Sequence, residues 1–366
     1  MSDTVDETVQ IAPESKILII GRGFIGQQLM NFLAADNSIE VHSISQAEVN
    51  YMDNASLLNF FIDYAENQDT IFDTVINCSG VTGEKNVDDV ESNKELAYLY
   101  NTVLPSSIAA ACANVGIPHF INVSSGCIFD GYKKDDDGNE IGWDENDVPN
   151  FGMFNDESSW YSKTKHAGEL GLTSSFSSTP RVYNLRIRMP IGETTHPRNT
   201  LLKLAQYTNL LDTPNSVTYV YDLFNFVYNL IIAHEPYNEA SLPGGILNIV
   251  SDGAFDVKTF VNVLDIHKDE LKKLELIPED WSKDKITFLN KEEFVEKSVT
   301  KVGRSSCLMD NTLAKSYELH TFAEVNGDFL DKIVQGMIKE KDALVNGVPE
   351  EDEEEDNDNI VEMPQG

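Results

Sequence analysis

Long apolar runs are missing from this sequence. Nothing in its 366 residues approaches the ~18 consecutive apolar residues of a membrane span, and Met1 to Ser15 is polar and acidic, without the apolar centre of a signal peptide. Cysteine is scarce. Cys78, Cys112, Cys127 and Cys307 show no CxxC or other zinc-like spacing, so no metal site is expected and the four read as reduced thiols of a cytoplasmic protein. Positive charge is scarce too: 27 Lys and Arg stand against 61 Asp and Glu, a net charge of −34. Glu350 to Gly366 holds nine acids and no base, which leaves about −25 for the rest. Nucleic acid is not an expected partner, because its phosphates would be repelled. A small anionic ligand would need a cleft that is basic against this background.

What is present is an alternation of short apolar runs with helical patterns. Lys16-Ile-Leu-Ile-Ile20 reads as a buried parallel strand, followed by a glycine loop and a helix over Phe24 to Ala35. Strands are expected at Val41, at Thr74 to Asn77, at His119 to Val123, at Arg181 to Met189 and, late, at Gly245 to Val250. Helices are expected from Asp53 or Asn54 to about Asn67 and from about Leu96 to Ala113, and another carries Tyr161. The pattern argues for an α/β fold with a doubly wound parallel sheet of the Rossmann kind and a smaller C-terminal substrate-binding part. The expected division is a disordered stretch over 1–15, a dinucleotide-binding domain over 16–185, a substrate region over 186–345 that crosses back to the sheet, and an acidic disordered tail over 346–366. A long Gly, Asp and Asn-rich loop after Ser125 runs to Ser159, a length usually reserved for function.

Gly21-Arg-Gly-Phe-Ile-Gly26 follows a strand and opens a helix, the context a dinucleotide loop requires. Gly21, Arg22, Gly23, Phe24, Ile25 and Gly26 would bring backbone close to a pyrophosphate at a helix N-terminus. The stretch Val41 to Gln46 carries no ribose-binding acid. With no carboxylate there to repel a 2′-phosphate and Arg22 in the loop, NADPH is favoured over NADH; otherwise Arg22 is a solvated surface side chain. Tyr161 and Lys165 are four apart and share a helix face, so the ammonium is expected to lower the phenol's pKa. Ser124 and Ser125 end a buried strand at the edge where ligands bind, and Cys127 lies two residues on. A lone cysteine is commonly a small buried hydrophobe, but near an ammonium it can act as a base. Arg186 and Arg188 face one side of a strand and need anionic partners, a diphosphate or a structural carboxylate.

In these residues the chain resembles the extended short-chain dehydrogenase/reductases of the nucleotide-sugar branch. It is most similar to the bifunctional UDP-4-keto-6-deoxyglucose 3,5-epimerase/4-reductases that complete UDP-L-rhamnose synthesis. The likeness runs from Lys16 to Val250 and thinly to Asp310. It is carried by Gly80 to Asp88, Gly126-Cys-Ile-Phe129, Asp147 to Phe151, Tyr161 to Lys165, Leu185-Arg-Ile-Arg-Met-Pro-Ile191, Pro197-Arg-Asn199 and Pro214 to Thr218. The resemblance implies a reductive triad of Ser125, Tyr161 and Lys165 and an epimerase pair of Cys127 and Lys203. Expected cofactor contacts extend to Asp53, Asn77, Ser79 and Gly80, with Tyr161 and Lys165. Expected substrate contacts are Val81, Thr82, Arg188, Arg198 and Asn199. The loop before Tyr161 is longer than in this family, Ser306 and Cys307 stand where it tends to have asparagines, and the acidic tail is extra.

The implied reaction is conversion of a UDP- or dTDP-linked 4-keto-6-deoxyglucose to the L-rhamnose nucleotide with NADPH. Two other readings stand beside it. One is a plain NADPH-dependent 4-ketoreductase like the related dTDP-4-dehydrorhamnose reductases, which usually have tyrosine at the Cys127 position. The other is a non-catalytic NADP-binding regulatory subunit like the beta subunit of methionine adenosyltransferase. The expected partner is the nucleotide sugar, with neither nucleic acid nor membrane, and the chain could also pair as a homodimer.

Overall fold

Two apolar faces diverge from the first strand. The structure is a computed structural model that describes residues 15–68, 70–83, 87–173, 179–233, 243–297 and 303–347. In β1 (Ser15–Ile20), Ile17 and Ile19 enter one core cluster while Leu18 and Ile20 enter another, because successive side chains of a strand point to opposite faces. The sheet is completed by β2 (Ile39–Ile44), β3 (Thr74–Asn77), β4 (His119–Ser125), β5 (Arg181–Ile187) and β6 (Gly245–Ile249). All pair in parallel, in the order β6-β5-β4-β3-β1-β2. The expected doubly wound α/β fold is therefore present. Chain direction across the sheet reverses between β1 and β3, which opens a crevice at the carboxyl ends of those strands.

Helices α1 (Phe24–Leu33), α2 (Asn54–Gln68), α3 (Lys94–Val115), α4 (Trp160–Leu172) and α5 (Val220–Ala233) flank the sheet. Leu29 and Leu33 of α1 pack with Leu223, Val227 and Leu230 of α5 on one face, and Leu57 and Phe61 of α2 with Ile108 and Cys112 of α3 on the other. Each such fully buried aliphatic contributes about 1.5–3 kcal/mol. By length and composition α3 could cross a membrane; here its apolar residues are accounted for by packing against α2 and α4. Within α3 the segment Leu99–Val103 widens into a π-turn. Pro105 has no N–H to offer the carbonyl of Asn101, and that carbonyl instead meets α4 at Gly168, where an added Cβ would fall 2.1 Å from it.

Beyond β5 the chain builds a second apolar core and also returns to the sheet as β6. The second core gathers Ile191, Leu201 and Leu210 with α6 (Val257–Ile266) and α7 (Gly327–Asn346). The long loop after Ser125 is pinned rather than loose: Trp143 stacks on Phe129 at 5.5 Å, and bridges pair Gly131 with Cys307 and Trp143 with Met309. The tails expected over 1–15 and 346–366 lie almost wholly outside the described residues.

Candidate active site

Beyond Ile20 the chain turns through Gly21, whose φ of +95° suits glycine and whose added Cβ would lie 2.9 Å from the Ser79 backbone. A Cβ on Gly26 would lie 2.0 Å from the Gly21 carbonyl oxygen. These two glycines close the turn. Gly23 does something else: a Cβ there would meet nothing within 4 Å, and as N-cap of α1 it leaves the first N–H groups without a side-chain cap. Open space before an uncapped helix N-terminus suits a phosphate. Gly23, Phe24 and Ile25 line a cavity of about 410 Å³, together with Ser79, Gly80 and Thr82. Asn77 lies beneath it, accepting from the Ser79 N–H at 3.1 Å and donating to Asn122 at 2.8 Å.

Ser125 ends β4, paired opposite Ile187, and so reaches the carboxyl edge of the sheet. α4 is launched by Ser159, whose hydroxyl accepts from the Ser162 N–H, and by Glu91, which accepts from the Trp160 N–H at 2.6 Å. Tyr161, Lys165 and Glu169 then fall on one buried face, four residues apart. Tyr161 and Lys165 line the cavity with Ser125. The Lys165 Nζ donates to the Val123 carbonyl at 3.5 Å and lies 3.2 Å from where a Gly80 Cβ would be. Burial pushes this ammonium down to about 8, against the opposing pull of Cys127 and Cys78.

The expectation that Lys165 lowers the phenol of Tyr161 is corrected. Burial and the neighbouring Cys127 push Tyr161 up, and Ser125, Arg188 and Arg198 offset only part of that. The reason is desolvation: a phenolate in a closed site loses hydration that nearby dipoles do not restore.

After Ser125, Gly126–Ile128 forms a 3-10 turn in which Ser125 Oγ accepts the Cys127 N–H at 3.2 Å. The Cys127 side chain lines the same cavity and packs in the cluster of Tyr161, and Arg188 Nη1 donates to its sulfur at 2.8 Å. Lys203, from the one-turn helix Thr200–Leu204, lines the cavity as well, with burial and Arg198 lowering its ammonium. Ser125, Tyr161, Lys165, Cys127 and Lys203 thus border one space. A second cavity of about 450 Å³ adjoins it through Met189, Thr200, Lys203 and Arg304, with Tyr207, Leu210, Phe255 and Phe294 among its walls.

Several expected contacts are placed otherwise. Arg188, expected on the substrate, uses its fork internally: Nε to Asn215 at 3.0 Å, Nη2 to the Ser305 carbonyl at 2.6 Å, Nη1 to Cys127. Arg186 takes the structural carboxylate, bonding Glu169 at 2.8 and 2.5 Å. Asn199 is fully buried. Its amide donates to the Gly192 and Thr194 carbonyls and its oxygen caps Leu201, so no hydrogen-bonding capacity faces a substrate. Asp53 holds the N–H and hydroxyl of Ser56 at the start of α2, outside the cavity. Val81 has both backbone groups bonded to Asn101. Arg198 lines the cavity and ties to Thr82 and to the Gly83 carbonyl.

The expectation that no carboxylate stands near the 2′-phosphate position is also corrected. Arg22 bonds Ser43 through Nε (2.8 Å) and Nη2 (2.6 Å), and its Nη1 lies 3.0 Å from Glu48. Glu48 lies two residues beyond Gln46, and the turn after β2 brings it back to Ser45 and Arg22. Sequence reasoning also passed over Arg304, which borders both cavities and pairs with Asp88 at 3.0 Å. It opens the Arg304 to Asp310 stretch, where the likeness to the family is thin, and nothing in its neighbours marks it as a cavity residue.

Comparison with known proteins gives the chain a family and neighbours of the same fold. Residues 15–255 match the family model described as the RmlD substrate binding domain. A bifunctional dTDP-4-dehydrorhamnose 3,5-epimerase/dTDP-4-dehydrorhamnose reductase of Arabidopsis thaliana is 39% identical over 150 residues, 41% of this chain and 46% of that protein. The match thus spans less than half of that relative's length. The L780 UDP-rhamnose synthase from Acanthamoeba polyphaga mimivirus superposes with a TM-score of 0.67 at 21% identity, covering 88% of this chain and 99% of the other. A dTDP-4-dehydrorhamnose reductase from Bacillus anthracis in complex with NADP gives 0.61 at 16% identity, with 88% and 98% covered. At these identities the structural likeness is one of fold. By the extent of its match to the family model, the chain belongs to the RmlD substrate binding domain family.

Proposed function

We propose that this protein is a nucleotide-sugar 3,5-epimerase/4-reductase that converts a UDP- or dTDP-linked 4-keto-6-deoxyglucose to the L-rhamnose nucleotide. The observation that carries this reading is the convergence of Ser125, Tyr161 and Lys165 with Cys127 and Lys203 on one cavity. The cradle at Gly23, the uncapped start of α1 and Arg22 fit a phosphorylated dinucleotide, and the Bacillus anthracis reductase of this fold was solved with NADP. NADPH would supply the hydride for the C4 carbonyl. Arg198, Lys203 and Arg304 make the cleft locally basic, which suits a diphosphate, and the adjoining cavity with its aromatic walls leaves room for a nucleoside.

Ser125 and Tyr161 would hydrogen-bond the C4 ketone, which acidifies the protons at C3 and C5. At C3 and C5 in turn, Cys127 as a thiolate would take the proton from one face and the Lys203 ammonium return one to the other, both groups exchanging protons with solvent between the two steps and the enolate oxygen being held by the same donors. Tyr161, its pKa raised, keeps its proton at neutral pH and so can deliver it to the developing alkoxide. Lys165 would hold the cofactor ribose beside Gly80. The Cys127–Arg188 bond favours a second reading, in which the sulfur only seats the arginine and the protein is a plain 4-ketoreductase. Incubating the purified protein with NADPH and the keto sugar in deuterium oxide separates the two. NADPH oxidation with deuterium at C3 and C5 supports the bifunctional reading. Oxidation without exchange, or oxidation only with the ketone already epimerised at C3 and C5, leaves the ketoreductase, and no oxidation with either sugar leaves a cofactor-binding subunit without turnover.

A further inference from the structure

We infer that Glu48 is an intramolecular stand-in for the 2′-phosphate of NADPH, so that this carboxylate competes with the cofactor for Arg22 and sets how strongly the protein prefers NADPH over NADH. The inference rests on the NADPH part of the proposed function and deepens it. The end of β2 is where the adenosine ribose of a dinucleotide lies in this topology. Three donors converge there on one carboxylate: Arg22 Nη1 on one oxygen at 3.0 Å, and the Ser45 N–H and Ser45 hydroxyl on the other, each at 2.8 Å. Arg22 is itself aimed by Ser43, through the hydroxyl at 2.8 Å and the carbonyl at 2.6 Å. A guanidinium, a backbone N–H and a hydroxyl around one anion is the donor set a phosphate would take. The Ser45 N–H, the Ser45 hydroxyl and then Arg22 hold the Glu48 carboxyl below the usual range, as expected for an anion seated among donors.

A plainer account exists for part of this. Ser45-Gln-Ala-Glu48 has the spacing of a capping box, in which the fourth residue reaches back to the N–H of the first. Glutamine serves that box as well as glutamate does. Glu48→Gln therefore keeps the turn and removes only the charge, so the two accounts give different results.

The test measures dissociation constants of NADPH and NADH for the wild type and for Glu48→Gln, by quenching of intrinsic tryptophan fluorescence or calorimetry, with no turnover required. The expected result is NADPH binding about two- to fivefold tighter in Glu48→Gln, the upper part of the range an exposed ion pair supports, with NADH unchanged within about 1.5-fold. The gain should shrink in high salt. If Glu48→Gln leaves the NADPH-to-NADH ratio unchanged, or weakens NADPH, the carboxylate merely orients Arg22 and the inference is overturned. If Glu48→Gln weakens NADH alone, Glu48 holds the ribose hydroxyls and the inference is equally overturned. Failure of the underlying cofactor reading looks different: Arg22→Gln would then leave NADPH affinity unchanged.

Discussion

Cys127 Sγ and Arg188 Nη1 stand 2.8 Å apart, and the arginine is held from behind by Asn215 and Ser305. The sulfur is therefore seated by a buried cation that the chain itself immobilises, at the wall of the cavity that Tyr161 and Lys165 share.

Cys127→Ala is expected to abolish deuterium incorporation at C3 and C5, read by mass spectrometry of the sugar product. Reduction of a substrate already epimerised should continue within a few-fold. Tyr161→Phe should do the reverse to the reductive step, lowering it about 10²- to 10⁴-fold, the usual worth of a positioned proton donor. Normal exchange in Cys127→Ala would leave the thiol as packing for Arg188 and nothing more.

Lys165 links the site to pH. Its folded-state value is pushed down to about 8 by burial, whereas a lysine in the unfolded chain titrates near ~10.4. Between those two values the unfolded chain binds more protons than the folded one, so stability should rise with pH across about 8 to 10.5 and be flat below 8. Urea midpoints of the wild type and Lys165→Met, compared over pH 7 to 10.5, check this. The variant should lack that rise, on the order of 3 kcal/mol at most.

Glu169 and Arg186 form an ion pair with almost no exposed surface, at one end of a hydrogen-bonded chain through Asn184, Asn122 and Asn77 to the turn at Ser79. Removing one partner strands a charge in the core. Arg186→Met is expected to cost about 3–5 kcal/mol, and adding Glu169→Leu should recover most of it. Urea unfolding of the single and double variants is the measurement. Equal losses in both would mean the pair itself, rather than its completeness, holds the fold.

Gly168→Ala sets two effects against each other. Alanine favours a helix over glycine by about 1 kcal/mol, but its Cβ would fall 2.1 Å from the Asn101 carbonyl oxygen, a backbone atom that cannot rotate away. Overpacking of this kind costs about 1–3 kcal/mol, so net destabilisation is expected, with a lowered Tm. Because α4 carries Tyr161 and Lys165, turnover should fall more than the residual fraction folded accounts for.

The sheet was legible because parallel strands buried on both faces are largely apolar, as Ile17 to Ile20 are throughout and His119-Phe-Ile-Asn-Val123 is apart from His119 and Asn122. The placement of the candidate site residues was legible where local spacing decides it: Tyr161 and Lys165 on one helix face, Ser125 at a strand end, Gly23 at a helix start. Three expected contacts are placed otherwise in one shared way. Arg188, Asn199 and Asp53 are polar residues beside recognisable motifs, and their hydrogen bonds go to the protein itself. For Arg188 the partners are Asn215, Cys127 and Ser305, far along the chain, whereas Asp53 and Asn199 are taken up by Ser56 and by Gly192, Thr194 and Leu201, within seven residues.

Periodicity and motif spacing in the sequence alone determined the layered α/β architecture, the dinucleotide loop and which helix carries the tyrosine and lysine, because each is written in residues within a turn or a strand of one another. Only the tertiary structure decided that Glu48 returns to Arg22, that Arg304 joins the cavity from a distant segment and that the phenol of Tyr161 is raised. Those outcomes depend on how much water the fold removes and which charges it brings close, and both are set by packing between segments far apart in the chain.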